Sequence, residues 1–421
     1  MQKEKKQNPF SLFLKNNFNR DILLYGGVEW TFWAIFATLA FTTAHLAQVG
    51  FSSKTTGVIM ALVSVAGIVA SPVVGNLSDR IGSPRKLFII LGIIASVFYA
   101  LVPLTLRLNH GQEMSVLNVG VVMILLWAAF SRPMQGLCES WVISAADRKR
   151  TFVFGKVRYF GSIGYALICI LFGALSKRLG TQVFTFYSFG ILFIPAMLLA
   201  IYAGRDESKE KVERKKGTSY GVKAAIKNYY LVMFFVCHCL VMLPMVCSTT
   251  FVPYKLMEIS GDTSSLGNIT AIRALMEIPM LLGGTWIVHK FGIKRLFILD
   301  MLLFALSMVL FILAKNTIVI TLGMMAMGTA YGAHLLGQVN YVYRITPPEA
   351  TASAQTLAVS FSLVASVLGN LIGGVLVERF TASGMYLFLL VLVVLALAIF
   401  LLTFPIGRAL KIPEPDLKNV M

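Results

Sequence analysis

Apolar runs long enough to cross a membrane recur along the whole chain, and they constrain its fold more than any other feature. About 20 helical residues span the hydrocarbon layer, and a helix satisfies its own backbone hydrogen bonds there. With 57% hydrophobic and 13% charged residues, the chain is too apolar for a soluble domain. We therefore predict an all-α polytopic membrane protein with twelve transmembrane helices in two six-helix bundles. The runs lie near residues 22–48, 55–77, 87–106, 117–143, 153–176, 182–203, 229–253, 266–289, 296–314, 317–342, 350–378 and 384–405.

The longest polar segment of the chain separates the sixth run from the seventh. We predict an N-terminal bundle with its tail at 1–204, a cytoplasmic linker at 205–227 and a C-terminal bundle with its tail at 228–421. A weak internal repeat supports this division, because the stretch around Gly292 resembles the stretch around Gly82. Such repeats are typical of transporters, which place their solute near the midplane between the two halves.

The basic residues predict the orientation of the chain. If the N-terminus is inside, most of the 37 lysine and arginine residues fall on the inner side, as the positive-inside rule requires. We expect a multi-pass protein of a bacterial cytoplasmic (plasma) membrane, with both termini cytoplasmic. This topology also explains the net charge of +18, so no nucleic-acid partner is expected.

The five cysteines lie in apolar runs and predict no disulfide framework. Cys237, His238 and Cys239 are consecutive, so on a helix they point about 100° apart and cannot converge on one metal ion. We interpret them as small side chains that pack between helices. No metal or cofactor is expected.

A cluster of glycine and charge lies between the second and third runs. It consists of Gly75, Asp79, Arg80, Gly82, Arg85 and Lys86. We expect Gly75 to let two helices approach closely, Gly82 to end a helix at positive φ, and Asp79 to accept hydrogen bonds from a neighbouring helix N-terminus. The basic residues would stay at the inner surface. The cluster resembles the signature of the major facilitator superfamily between the second and third helices. Ser83 and Pro84 separate its basic residues from Gly82, which departs from that signature. We expect the cluster to act in gating.

Charged residues inside apolar runs are costly and are retained mainly around a bundle interior or an aqueous cavity. In the fourth run, Arg132, Gln135 and Glu139 share the spacing of one helical face, as do Arg158, Ser162 and Tyr165 in the fifth. We expect Glu139 and Arg158 to form a charge-assisted bond that is open to a hydroxyl-bearing solute. A purely structural ion pair is the alternative.

The fifth run also resembles the oligosaccharide and nucleoside proton symporter branch of the superfamily, which includes lactose permease. The shared pattern contains Arg158, Gly161, Ser162, Gly164 and an aromatic residue, here Tyr165. This resemblance implies that Glu139 and Arg158 contact solute hydroxyls and that Tyr165 stacks on a ring of the solute.

Glu29 in the first run has Tyr25 and Trp33 one turn to either side. A carboxylate between aromatic rings suits a cation or an amphipathic ring. Pairing of Glu29 with Arg132 or Arg158 remains an equal alternative.

In the eighth run, Arg273 and Glu277 are four residues apart, with Thr270 on the same face and Pro279 just beyond. We expect Glu277 to carry a proton when it parts from Arg273. A permanent ion pair that makes the helix insertable is the alternative.

The tenth run carries a polar stripe of Tyr331, His334, Gln338 and Tyr341. We assign Gln338 and Tyr341 to the solute site, and His334 to a proton relay or a fixed hydrogen bond. Asp300, early in the ninth run, is expected to anchor near Lys294 or Arg295 at the inner face.

The chain has no phosphate-binding loop ending in Gly-Lys-Ser/Thr and no enzyme signature, so we expect no ATPase or other enzyme. We predict a monomeric secondary active transporter that couples protons to symport of a small hydroxyl-rich solute, a sugar or nucleoside, by alternating access. A proton-driven exporter of sugars or amphipathic drugs is the alternative.

Overall fold

A computed structural model describes residues 19–107, 116–152, 155–203, 227–346, 348–415 and 417. The side chains of Asp79, Lys156, Thr285 and residues 348–353 lie outside this description, as does nearly all of the predicted linker. Within the described residues the chain is helical and contains no strand. The predicted all-α class is therefore confirmed, whereas the boundaries of the two bundles stay a prediction.

The N-terminal half contains eight α-helices and one short 3₁₀ helix in its described residues. They are α1 (Arg20–Phe36), a 3₁₀ turn (Ala37–Phe41), α2 (Thr42–Val49), α3 (Ser53–Ile81), α4 (Pro84–Arg107), α5 (Val119–Ser131), α6 (Met134–Lys149), α7 (Gly155–Leu179) and α8 (Phe184–Ala203).

The C-terminal half contains six helices in its described residues. They are α9 (Tyr229–Ser260), α10 (Leu266–Leu282), α11 (Gly284–Phe291), α12 (Ile293–Leu313), α13 (Thr317–Ile345) and α14 (Pro348–Ala409). We call the end of the bundle at which α1 begins and α14 ends the terminal face, and the opposite end the far face.

Polar residues fix where several of these helices begin and end. The side chains of Asn19, Ser52, Asn118, Asn228 and Asn316 each accept a hydrogen bond from a backbone N–H in the first turn of the following helix. Such caps satisfy donors that a helix start leaves unpaired. Gly82 ends α3 with a φ of 67°, which confirms its predicted role, because this left-handed conformation favours glycine.

Several predicted runs are interrupted rather than continuous. The first run passes through the 3₁₀ turn, the fourth breaks at Pro133, and the eighth breaks at Gly283. α14 contains the last two predicted runs and changes direction at Thr381, where φ is 65°. Ten helical segments of the described chain are long and apolar enough to cross a membrane. The predicted total of twelve requires dividing α14 at Thr381 and counting α10 with α11 as one further crossing.

Two hydrophobic clusters form the core. One consists entirely of residues between Ile22 and Ala203. The other consists mainly of residues from Tyr230 onward, joined by a few from α1, the 3₁₀ turn, α2 and α7. The halves meet where α3 packs on α14 and α7 packs on α10. Each half therefore forms most of one core cluster, and these two helix pairs make the most extensive contacts between the halves.

Glycine backbones form the closest contacts between the halves, and these lie toward the far face. A Cβ atom at Gly374 would lie 2.7 Å from the carbonyl oxygen of Ser53 and 3.1 Å from the Cα of Gly57. A Cβ at Gly173 would lie 3.0 Å from the Cα of Gly267. Any side chain larger than hydrogen would therefore force the helices apart.

Hydrogen bonds between described residues of the two halves lie in the same region. Gln182 donates to Thr263 at 2.8 Å, and the backbone N–H of Lys54 donates to Glu378 at 3.0 Å. Near the middle of the bundle, the hydroxyls of Ser64 and Ser366 lie 2.8 Å apart. The far face is thus closed by contacts between the halves.

The charged cluster after α3 differs in part from expectation. A Cβ at Gly75 would meet nothing within 4 Å, so the prediction that this glycine permits close helix contact is wrong. Arg80 is exposed and donates to Asn76 at 3.1 Å, and Arg85 donates to the carbonyl of Ala200 at 3.3 Å, near the end of α8. Lys86 is exposed. The gating role of the cluster stays a prediction, and the Asp79 side chain lies outside the described residues.

Candidate functional site

A cavity of about 240 Å³ lies between the two halves, and we call it the central cavity. Helices of both halves line it, with hydroxyl and amide groups alongside methionine and leucine. Its lining residues are Leu39, Ala40, Thr43, Met60, Ser64, Arg132, Tyr165, Met245, Val246, Thr249, Thr250, Val252, Thr270, Arg273, Met324, Ser366 and Asn370. A cavity with an apolar wall and a few polar groups is the usual form of a small-molecule site.

Arg132 reaches the central cavity from the end of α5, where Pro133 interrupts the fourth run. Its Nε atom is buried without a hydrogen-bond partner, and its carbon chain packs against Gly67 of α3. Gln135 and Glu139 lie beyond the break, on α6, where Gln135 donates to Glu139 at 3.0 Å. Arg132 lines the cavity, whereas neither Gln135 nor Glu139 is among its lining residues.

The expected bond between Glu139 and Arg158 is not present among the described residues. The guanidinium carbon of Arg158 instead lies 4.2 Å from the centroid of the Trp33 ring, and its Nη1 atom is buried without a hydrogen-bond partner. Such a cation–π contact stabilises a desolvated guanidinium but leaves its N–H groups available. Gly161 makes this contact possible, because a Cβ there would clash with the Trp33 ring and would lie 3.1 Å from Nη1 of Arg158.

Glu29 lies beside Trp33 and Arg158. Its contacts confirm neither the predicted binding of a cation or ring nor the alternative of an ion pair with Arg132 or Arg158. The carboxylate is fully buried, and Trp33 donates its indole N–H to one oxygen at 3.2 Å. The other oxygen has no hydrogen-bond partner. Glu29 acts electrostatically on Arg158 without forming an ion pair within 4 Å in the described structure. Glu29, Trp33 and Arg158 therefore form a polar cluster with unused hydrogen-bonding capacity.

Arg273 and Glu277 form a direct ion pair on α10, with 2.8 Å between Nη1 and Oε1. Both side chains are buried, and the guanidinium carbon of Arg273 lies 6.0 Å from the centroid of the Tyr331 ring. Arg273 also interacts with Tyr165 of α7, and both residues line the central cavity. Ser162, one turn before Tyr165, is buried. Glu277 thus lies behind an arginine that faces the cavity.

A continuous chain of hydrogen bonds crosses the C-terminal half, and we call it the histidine chain. Asp300 of α12 bonds to Nδ1 of His334 at 2.8 Å, and Nε2 of His334 bonds to Nδ1 of His238 at 2.8 Å. Nε2 of His238 then bonds to the hydroxyl of Ser362 at 2.7 Å. The chain connects α12, α13, α9 and α14. Only His334 of these four residues was among the predicted site residues.

The structure corrects two sequence interpretations through this chain. Asp300 is fully buried and bonds to His334, so its expected position beside Lys294 or Arg295 is wrong. His238 is a hydrogen-bonding residue rather than only a small packing element. In the part of the chain that the structure describes, no group of three histidine, cysteine, aspartate or glutamate side chains is placed to hold one metal ion.

Gln338 and Tyr341, the last two residues of the predicted polar stripe on α13, both lie away from the central cavity. Tyr341 is buried in an aromatic cluster, with its ring centroid 4.9 Å from that of Phe234 and 5.6 Å from that of Phe297. The structure therefore does not bring Tyr341 to the central cavity. Gln338 is half-buried and is not among the lining residues.

Membrane-crossing helices in two halves, with a cavity of mixed polarity between them, are the architecture of a membrane transporter. The chain belongs to the major facilitator superfamily, since the model of the MFS_1 like family matches residues 26–389.

Two curated relatives are similar over most of this chain. Maltose permease of Geobacillus stearothermophilus is 22% identical over 384 residues, covering 90% of this chain and 93% of the permease. The putative nucleoside transporter YegT of Escherichia coli (strain K12) is 23% identical, covering 93% of this chain and 95% of that protein. The crystal structure of the nucleoside transporter NupG has a TM-score of 0.75 at 15% identity, covering 92% of this chain and 99% of that chain. The predicted major facilitator fold is thereby confirmed.

Proposed function

We propose that this transporter takes up a small hydroxyl-rich solute, a sugar or a nucleoside, together with protons. The central cavity is the observation that carries the proposal, because both halves line it and it contains arginine, tyrosine, threonine and asparagine side chains. The names of the relatives, maltose permease and nucleoside transporters, support the same solute class.

The solute site we propose extends from the central cavity into the N-terminal half. Arg132 and Tyr165 line the cavity directly, and Glu29, Trp33 and Arg158 form the adjoining polar cluster. Buried groups with unused hydrogen-bonding capacity are costly unless a ligand satisfies them. Gln135, Glu139 and Ser162 are proposed to complete this wall, and of these Glu139 acts electrostatically on Glu29.

Proton handling is proposed for the C-terminal half. Glu277 releases or takes a proton as its ion pair with Arg273 loosens, and His334 passes a proton along the histidine chain. A bonded sequence of carboxylate, imidazole, imidazole and hydroxyl contains a donor or acceptor at every step.

The transport cycle we propose is alternating access, with both termini cytoplasmic. In this orientation the far face is extracellular, and the contacts between α3 and α14 and between α7 and α10 close the outside. Opening of those contacts, with closure at the terminal face, would expose the central cavity to the other side.

The test is uptake into proteoliposomes under an imposed proton gradient, with maltose, uridine and tetraphenylphosphonium as probes. We expect at least one of the sugar and nucleoside probes to accumulate, and a protonophore to abolish the accumulation. Efflux of tetraphenylphosphonium in exchange for protons, with no sugar or nucleoside uptake, would overturn the proposal in favour of an exporter. Empty liposomes give the background leak.

A further inference from the structure

The central cavity contains an excess of positive charge. Two arginines, Arg132 and Arg273, line it, and no aspartate or glutamate is among its described lining residues. The charge of Arg273 is balanced by Glu277, whose Oε1 lies 2.8 Å from Nη1. Arg132 forms no ion pair within 4 Å among the described residues, and its buried Nε atom has no hydrogen-bond partner there. Among the residues that line the cavity, one positive charge therefore lacks a carboxylate partner.

The surroundings of Arg132 offer no substitute for a carboxylate. Its carbon chain packs on Gly67, and the titratable group that acts on it is the phenol of Tyr99 on α4. The Tyr99 hydroxyl already shares a hydrogen bond of 2.6 Å with Thr42. An arginine kept only to stabilise the bundle would be paired, because an isolated charge inside a membrane is costly.

We propose that the solute is a monoanion and that Arg132 binds its carboxylate, which makes a sugar acid such as a hexuronate the favoured substrate class. This inference rests on the proposed uptake of a hydroxyl-rich solute and narrows it. A guanidinium matches a carboxylate with two parallel N–H···O bonds, and Nε is one of the donors that can form them. The hydroxyl groups of the sugar then face the threonine, serine and asparagine side chains of the lining.

The amount of charge favours a carboxylate over a phosphate ester. A carboxylate neutralises the one uncompensated arginine, whereas a phosphate monoester carries about −1.5 to −2 charges at neutral pH. Symport of a carboxylate with one proton moves no net charge, whereas symport of a neutral sugar with one proton moves a positive charge. The two solute classes therefore differ in how a membrane potential affects uptake.

The first experiment compares glucuronate, glucose and glucose 6-phosphate in proteoliposomes under a proton gradient. Glucuronate differs from glucose by a carboxylate in place of a hydroxymethyl group, so the pair isolates the charge. We expect glucuronate to accumulate, and its rate to stay within about twofold when potassium and valinomycin impose a potential. The phosphate ester should be a poor competitor.

The outcomes separate this inference from the proposed function. Uptake of glucose that glucuronate does not inhibit, with acceleration by an inside-negative potential, would overturn the monoanion while leaving sugar uptake intact. Preference for glucose 6-phosphate would replace the carboxylate by a phosphate ester. If none of the three compounds is transported or binds to the purified protein in calorimetry, the monoanion inference is overturned, whereas the maltose and uridine assay decides the proposed function separately.

A second experiment tests Arg132 itself. Arg132→Gln should weaken glucuronate binding ~10- to 100-fold, because a charge-assisted bidentate contact is lost, while glucose binding changes little. Arg132→Lys should retain part of the affinity, since it keeps the charge without the planar fork. Arg178→Gln, at an exposed arginine of α7, is the matched control and should leave both affinities unchanged.

Equal glucuronate affinity in Arg132→Gln and the unmodified protein would remove Arg132 from the site. If Arg132→Gln fails to fold in detergent, Arg132→Lys and the potential dependence of the unmodified protein still decide the question, because neither requires the glutamine variant.

Discussion

The two halves of the molecule differ in how their buried charged groups are bonded. In the N-terminal half, Glu29, Arg132 and Arg158 each retain a buried atom without a hydrogen-bond partner, and none forms an ion pair within the described residues. In the C-terminal half, Arg273 pairs with Glu277, and Asp300 bonds to the first imidazole of the histidine chain.

This contrast is consistent with the solute and proton roles that we propose for the two halves. Polar groups that lack internal partners are available to a solute, whereas polar groups that bond to one another hold helices together and can pass protons. The C-terminal half is not fully satisfied, since Arg273 Nε and Asp300 Oδ1 also lack partners. Its charges nevertheless have direct partners of opposite sign or imidazole partners. Variants at matched positions can test the contrast.

The largest effect is expected from Glu277→Gln. The change leaves Arg273 buried without a carboxylate, and breaking a buried ion pair costs about 3–5 kcal/mol of folding free energy. Denaturant unfolding of the purified protein in detergent should measure the loss. The double variant Arg273→Gln/Glu277→Gln should recover most of it, because it removes the unpaired charge. A loss below about 1 kcal/mol in the single variant would contradict a stabilising pair.

An intermediate effect is expected in the histidine chain. Asp300→Asn should cost about 1–3 kcal/mol, since it disturbs a fully buried hydrogen bond to His334. A double-mutant cycle with His334→Gln should give a coupling energy of at least about 0.5 kcal/mol. We also expect proton-driven accumulation to fall, while solute exchange without a proton gradient continues.

Ser307→Ala on the same helix is the control for that cycle. Ser307 is buried like Asp300, but its hydroxyl bonds only to the backbone of Phe304 in the described structure. It should therefore show no coupling to His334. Additive effects of Asp300→Asn and His334→Gln would mean that the two residues do not act as one unit.

The smallest effect on stability is expected from Glu29→Gln, which sharpens the comparison with Glu277→Gln. The new amide oxygen can still accept the Trp33 indole N–H, and no ion pair within 4 Å is broken, so the free energy of unfolding should change by less than about 1 kcal/mol. Solute affinity should fall about tenfold if Glu29 contacts the solute. A destabilisation as large as that of Glu277→Gln would erase the difference between the halves.

Much of the fold could be predicted from the sequence because membrane crossing imposes length and apolarity on each helix. The ion pair of Arg273 and Glu277 was also predictable, since residues four apart on a helix are neighbours whatever the tertiary structure is. Gly82 was predictable for a similar local reason, as a tight helix end needs a positive φ.

Contacts between helices distant in the chain could not be predicted in the same way. The histidine chain joins residues of four helices, and no spacing in the sequence relates His238 to His334 or Asp300. Arg132, Gln135 and Glu139 were expected on one helical face, but the break at Pro133 separates Arg132 from the other two. Glu139 was expected to bond to Arg158, but the guanidinium of Arg158 instead lies over the ring of Trp33. Sequence spacing predicts which residues share one face of a helix, but it does not predict which residues of other helices contact that face.

The glycine contacts on the far face affect the energy of the transport cycle that we propose. Gly57 meets Gly374, and Gly173 meets Gly267, with no side chains interlocked between them. Separation at these points exposes backbone and little apolar area, and apolar area contributes about 25 cal/mol per Å² to an interface. In the alternating-access cycle that we propose, the open and closed arrangements can therefore remain close in free energy, so that binding of a single small solute or proton is enough to change which one predominates.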